Sequence, residues 1–298
     1  MNDNSRRKFL KTAGALAVAG SIPPTVGLCS GSRPGRRSTT LPEMLSATLP
    51  EARSATFPFE LGIASYTFRS LPLEQVIEMT RRLGVKRLTL KDMHLPLKST
   101  EVEIRSKLET IAAAGLVLSS CGVVYMKTED EIRDAFAYAK MAGLKMLVGV
   151  PDQSLLGAAE RHVKESDIAL AIHNHGPTDL RFPSPESVYT LIAKMDKRMG
   201  LCIDIGHTQR LGLDPSVEAE KYFDRVLDIH IKDVSAADAS GATVEIGRGV
   251  IDIPKFLNTM VRMRYSRTLH FEYEKDENDP LPGLAESVGY VRGVLATL

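Results

Sequence analysis

The chain has 298 residues, 43% of them hydrophobic and 25% charged, which is ordinary globular composition with enough apolar material for a full core. Its 38 Lys and Arg nearly balance 37 Asp and Glu, and a net charge of +1 lacks the basic bias of a nucleic-acid-binding surface. The three cysteines, Cys29, Cys121 and Cys202, form neither a disulfide framework nor a CxxC zinc pattern.

At the amino terminus, SRRKFLK precedes an apolar run from Ala13 to Ile22. That run is too short for the roughly twenty residues a membrane-spanning helix needs. The paired Arg6 and Arg7, with Phe9, Leu10 and Lys11, resemble a twin-arginine signal, which implies the twin-arginine export machinery as a partner and a periplasmic location. A basic tail without structure is the alternative. Leu28 stands where a lipoprotein signal has a small residue before its cysteine, so Cys29 is not expected to carry a stable membrane anchor. The expected organisation is a signal over 1–30, a linker rich in Ser, Arg, Pro and Thr over 31–56, and a folded domain over 57–298.

From Phe59 onward two periods alternate. Strand patterning covers Glu60–Tyr66, Arg87–Lys91, Leu116–Val124 and Lys145–Val150, and helical spacing covers Leu73–Leu83, Thr100–Ala114 and Asp130–Ala142. Gly84, Gly115 and Gly143 each follow a helix and precede a strand, as expected of left-handed caps in a repeating βα unit. A helix over Ser154–Lys164 leads to a strand over Asp167–His173. Next come a strand over Leu201–Gly206, a helix over Asp214–Phe223 with Asp as its cap and Pro at its first position, and a strand over Val226–Lys232. A helix over Ile253–Met263, a strand over Arg267–Glu274 and a helix over Leu284–Leu295 close the chain. Eight strands alternating with helices in this length predict a (β/α)8 TIM barrel of the α/β class. An open doubly wound sheet is the competitor, but its GxGxxG loop is missing where SYTFRS follows the first strand. The later IGRG at Ile246–Gly249 is a weak phosphate signal, or simply a loop that needs glycine.

In such a barrel the site forms at the carboxyl ends of the strands. His173, Asp204, His230 and the pair Glu272 and Glu274 stand there. Their parity agrees, because Leu170, Ile203, Ile229 and Phe271 occupy the opposite, helix-facing sides. One buried His or Asp is usually a hydrogen-bonded core residue. Several at one end of one barrel need more, since two buried carboxylates cost several kcal/mol unless a cation or donors compensate. A divalent metal removes that cost. Lys91, inward by the same parity and followed by His94, reads as an electrophilic or proton-transferring group or as a surface salt-bridging lysine. Lys232 lies inward beyond His230, and Glu274 reads as a partner holding a ligand imidazole. Arg248 is a candidate contact to substrate oxygens, and Tyr66 with Phe68 form either an apolar wall or core.

ALAIHNHG, GLCIDIGHT, VLDIHIKD, EIGRGVID and LHFEYE, in this order, resemble the sugar phosphate isomerase/epimerase superfamily with the xylose isomerase-like barrel, over about Phe59 to the end. The resemblance implies one divalent metal, Mn²⁺ before Zn²⁺ or Co²⁺, with Asp204, His230 and Glu272 as ligands and His207 as a substrate contact. Many members have Glu where this chain has His173, so the two-glutamate proton exchange of sugar epimerases is not matched. His173 and the closing EYEKDENDP resemble instead the inosose dehydratase branch acting on keto-sugars. The implied activity is enediolate chemistry on a carbohydrate or cyclitol, with Glu272, Lys91 and His207 as catalytic candidates and His94, Lys232, Arg248 and Glu274 as substrate contacts. Two rivals keep the same barrel: an endonuclease for abasic DNA, which the neutral charge disfavours, and a non-catalytic periplasmic sugar-binding protein.

Overall fold

Gly84, Gly115 and Gly143 end their helices with φ of 62°, 75° and 66°, the left-handed conformation that glycine adopts without steric cost, and each hands the chain to a barrel strand. The computed structural model describes residues 57–298. The expected signal and linker, with Arg6, Arg7 and Cys29, lie outside the described residues.

The barrel strands are β1 (Glu60–Ala64), β2 (Arg87–Leu90), β3 (Val117–Met126), β4 (Met146–Pro151), β5 (Ala169–His173), β6 (Met199–Asp204), β7 (Val226–Ile231) and β10 (Thr268–Phe271). A short antiparallel ribbon, β8 (Asp233–Val234) with β9 (Thr243–Val244), is inserted after β7. The eight long strands are parallel and close in the order β1-β10-β7-β6-β5-β4-β3-β2, which is the (β/α)8 TIM barrel. Among the described residues nine α-helices follow in chain order: α1 (Leu73–Arg82), α2 (Glu101–Ala113), α3 (Glu129–Met141), α4 (Leu156–Ser166), α5 (Pro185–Ile192), α6 (Ile205–Gln209), α7 (Pro215–Lys221), α8 (Ile253–Arg262) and α9 (Leu281–Leu295).

Local chemistry sets several boundaries. Thr100 caps α2 in a capping box with Glu103, and Asp214 and Pro215 open α7 as their types predict. α5 starts on Ser184 with Pro185 at its first turn, a signal present in the sequence but not among the elements expected from it. Three strands end two or more residues early, and in β1 the chain expected to stay extended to Tyr66 turns into a single helical turn at Ser65. The chain expected to stay extended to Gly206 turns into α6 at Ile205, because the Asp204 carboxylate accepts the His207 N–H at 2.8 Å and caps that helix directly. β10 stops at Phe271, where the Glu272 N–H bonds Ile231 O and the Tyr273 N–H is taken by the Thr67 hydroxyl. Register then aligns the site: Asp204 pairs with His230, His230 with His270, and His173 with Cys202.

Candidate functional site

His173, Asp204 and His230 reach the same level because their strands are adjacent and in register, and Glu272 joins one residue past β10. All four are buried. One donor atom from each lies within 4.8 Å of the other three. His173 Nε2 is 3.1 Å from His230 Nδ1, 3.5 Å from Asp204 Oδ2 and 3.9 Å from Glu272 Oε2, while His230 Nδ1 is 3.1 Å from Glu272 Oε2. Ligands at about 2.1 Å from one cation stand roughly 3.0 to 3.4 Å apart at octahedral or tetrahedral angles, so these spacings are close to those a cation requires. Asp204 Oδ2 is buried, and its one close cationic neighbour is the Lys232 ammonium at 2.9 Å, which lies outside hydrogen-bond angles and leaves the oxygen free to serve as a ligand. Two imidazoles and two carboxylates form a donor set that suits a borderline divalent metal. Cys202 also approaches the two histidines, but its thiol points at Asp228 Oδ2, 3.9 Å away, and burial holds it well above the usual thiol range.

Lys232 changes the charge balance. Its ammonium is 2.9 Å from Asp204 Oδ2, 2.9 Å from Glu272 Oε2 and bonded to Glu274 Oε1, with 2% of the side chain exposed. Burial acts to raise the Asp204 and Glu272 carboxyls, but Lys232 followed by the histidines outweighs it and holds both below the usual carboxylate range. Burial acts to lower Lys232, and the three carboxylates overcome it, leaving the ammonium charged. The imidazoles diverge. Burial pushes His173 down to about 4 despite Asp204, whereas at His230 the Glu272 carboxylate outweighs burial and raises it. Gly206 makes room for this lysine, since a Cβ there would strike the Lys232 stem.

A second layer orients the ligands. The Asn174 side chain accepts the Asp204 N–H at 3.0 Å and donates to Thr208 Oγ1 at 3.2 Å, and the Thr208 hydroxyl donates back to Asp204 O at 2.7 Å. β5, β6 and α6 are thereby tied around the ligand aspartate. Below the site, Asp228 Oδ2 lies 3.9 Å from His230 Nε2, and Asp228 Oδ1 is hydrogen-bonded to His270 Nδ1 at 2.8 Å.

Above the donors opens a cavity of about 460 Å³ that His173 and Glu272 border from below. Lys91 lines it, its ammonium bonded to Val123 O at 2.8 Å and 5.6 Å from the ring centroids of both Tyr66 and Tyr125. His207 and Glu274 line it as well. His94 does not. Its ring is buried against Ser65 Oγ and the carbonyls of Phe68 and Leu71, where it braces the segment after β1. Arg248 also lies away from the cavity, paired with Glu286 on α9, and Phe68 is core. Six lining residues were not singled out from sequence: Val123, Tyr125, His175, Thr178, Asp179 and Arg210. His175 shares the parity of His173 and stacks 4.4 Å from it, with Nε2 hydrogen-bonded to the Tyr125 hydroxyl at 2.9 Å. The alternation that revealed His173 extends to it.

The IGRG loop has its own anion. Asp233, buried at the start of β8, accepts backbone N–H groups from Val234, Gly247, Gly249 and Ile251. A Cβ at Gly249 would run into that carboxylate. The donors a phosphate would use are therefore taken by the side chain that follows HIK, which explains both the glycines and the aspartate.

A family model described as the xylose isomerase-like TIM barrel matches residues 71–294. The rhizopine catabolism protein MocC of Rhizobium meliloti is 29% identical over 153 residues, 46% of this chain and 46% of that protein. The match thus spans about half the length of that relative. Among solved structures, the probable 3-DHS dehydratase AsbF of Bacillus anthracis superposes with a TM-score of 0.65 at 11% identity, covering 78% of this chain and 98% of the other. An L-ribulose 3-epimerase superposes with a TM-score of 0.65 at 14% identity, covering 80% and 95%. Identities this low establish the shared fold.

Proposed function

The chain belongs to the xylose isomerase-like TIM-barrel family, and from that premise we propose that it is a divalent-metal-dependent enzyme performing enediolate chemistry on a keto-sugar, sugar or cyclitol. The observation that carries the reading is the buried set His173, Asp204, His230 and Glu272 opening directly onto a cavity of about 460 Å³. Mn²⁺ is the proposed ion: the mixed nitrogen and oxygen set suits Mn²⁺ and Zn²⁺ alike, and an octahedral site with positions left for substrate favours Mn²⁺. When bound, the cation supplies Lewis-acid polarisation of a carbonyl and its neighbouring hydroxyl, which acidifies the hydrogen on the carbon between them.

The chain's own residues divide the remaining work. Lys91, with its ammonium at the cavity wall, places positive charge against a substrate oxygen. His207 carries an imidazole that burial lowers first, with Asp204 opposing, and it lines the cavity as a proton acceptor. Glu272, turned toward both the donors and the cavity, is the candidate carboxylate for proton exchange on the opposite face. His175, held by Tyr125, contacts a substrate hydroxyl beside His173. Tyr66 and Tyr125 flank the Lys91 side of the cavity and offer ring faces to a sugar.

Mn²⁺-loaded protein incubated in D₂O with keto-sugars, keto-glycosides and inososes should incorporate deuterium at a carbon beside the carbonyl, or gain or lose water. Lys91→Ala and His207→Ala should slow this by about a hundredfold while metal stays bound. Tight binding of one sugar without exchange or conversion would favour a non-catalytic sugar-binding protein. Export by the twin-arginine route is part of the proposal, on the strength of Arg6 and Arg7. Periplasmic accumulation of an Arg6→Lys, Arg7→Lys double variant at normal levels would count against it.

A further inference from the structure

A second cavity, of about 420 Å³, adjoins the first and shares His207, Arg210 and Glu274 with it. Its outer wall is Gly241 to Thr243 on the β8–β9 insertion, and Lys275 closes one side. Resting on the sugar-enzyme reading, we propose that this chamber is the subsite for an oxyanion carried by the substrate, a carboxylate or a phosphate, bound by the guanidinium of Arg210.

Among the described residues two cations around the mouth have no carboxylate partner, Lys91 on the wall of the first cavity and Arg210, and of these two only Arg210 also borders the second. Lys232 is held by three carboxylates, Lys275 by Glu245, Arg69 by Glu277, Arg181 by Asp152 and Arg248 by Glu286. Among the described residues no carboxylate lies within ion-pair distance of Arg210. One of its terminal nitrogens donates to Ala239 O at 3.0 Å and the other meets His207 Nδ1 at 3.4 Å, while its Nε is buried without any partner. A half-buried guanidinium with an unspent donor is an uncompensated charge, and its planar fork fits carboxylate or phosphate in two parallel bonds. The one acid on the chamber wall, Glu274, is bonded to Lys232, which it shares with Asp204 and Glu272, and not to Arg210. Because both chambers meet at His207 and Arg210, a ligand whose reacting carbon stands over the metal donors can extend its charged end into the second chamber. The specificity of the site is then for an acidic or phosphorylated sugar over its neutral parent.

Calorimetric titration of Mn²⁺-loaded full-length protein with glucose, glucuronate, glucose 6-phosphate and inorganic phosphate tests this. At least one of the two anionic sugars should bind about tenfold or more tighter than glucose. Arg210→Gln should erase that preference, read as the ratio of anionic-sugar to glucose affinity, and Arg210→Lys should restore only part of the ratio, since a point charge lacks the fork. Preference for glucuronate identifies a carboxylate as the natural group, and preference for glucose 6-phosphate identifies a phosphate. Anion preference that survives Arg210→Gln, or glucose binding as tightly as both anionic sugars, overturns the subsite. If no sugar binds but inorganic phosphate binds and is lost in Arg210→Gln, the subsite stands and the sugar reading is what fails.

Discussion

Replacing Lys232 by Met is the sharpest test of how this site holds its charge. The ammonium is shared by Asp204 and Glu272, each 2.9 Å away, and also bonds Glu274. Met keeps most of the stem volume under Gly206 and deletes only the charge. Removing one partner of a buried ion pair costs about 3–5 kcal/mol, because the other charge stays buried without compensation. In a domain of this size that corresponds to a fall in Tm of about 6–20 °C for the metal-free protein. With Mn²⁺ present the loss should shrink to less than half, since the cation neutralises the same oxygens. The metal should also bind at least about tenfold tighter, because a positive charge within a few ångströms of the ion repels it by several kcal/mol at an intermediate dielectric. Thermal melts with and without Mn²⁺, and calorimetric titration of the metal, measure both effects. Equal Tm losses in the two states, or weaker metal binding by the variant, would refute the idea that lysine and metal draw on one pool of negative charge.

Three further outcomes follow from the same geometry. Metal uptake should release protons, read as the dependence of binding heat on buffer ionisation, because Glu272 outweighs burial and raises His230, which must be neutral to bind; affinity should fall as pH falls. His173, lowered by burial to about 4, is neutral when folded while the unfolded chain takes up a proton below about 6.5. Its contribution is therefore present above that pH and lost toward 4, so the Tm of metal-free protein should drop across the window, and less steeply in His173→Asn. Asp233→Ala strands four backbone N–H groups, and should lower stability by about 3 kcal/mol and open residues 246–251 to limited proteolysis, with no anion able to restore the loop fully.

Alternation was the informative signal in the sequence, and it works only while the chain is a strand. It placed His173, Asp204 and His230 inward because β5, β6 and β7 run straight to those residues. It carried Glu272 and Glu274 to the right side although β10 ends at Phe271, since the chain stays close to Ile231 and Thr67 there. Past Asp204 it failed, because the side chain that serves the site also caps α6, and one residue doing two jobs leaves no periodicity to read. His94 has the composition of a site residue but is a brace, its imidazole spent on backbone carbonyls about twenty-five residues earlier. Arg210 and Tyr125 were invisible for a different reason: they reach the cavity from the end of α6 and from the carboxyl end of β3, where the tyrosine reads as one more member of a buried apolar run.

The donors His173, Asp204, His230 and Glu272 come from one contiguous arc of the barrel, β5, β6, β7 and the end of β10. Tyr66, Lys91 and Tyr125 come from the opposite arc, at the ends of β1, β2 and β3. The candidate metal donors thus occupy one half of a circle, and the other half faces them with Lys91 and two aromatic rings. Descendants of this chain can exchange the loops after β1 and β3, and with them the shape of the molecule admitted, without touching a metal donor. Laboratory recombination has the same natural seams, between β4 and β5 and between β10 and β1.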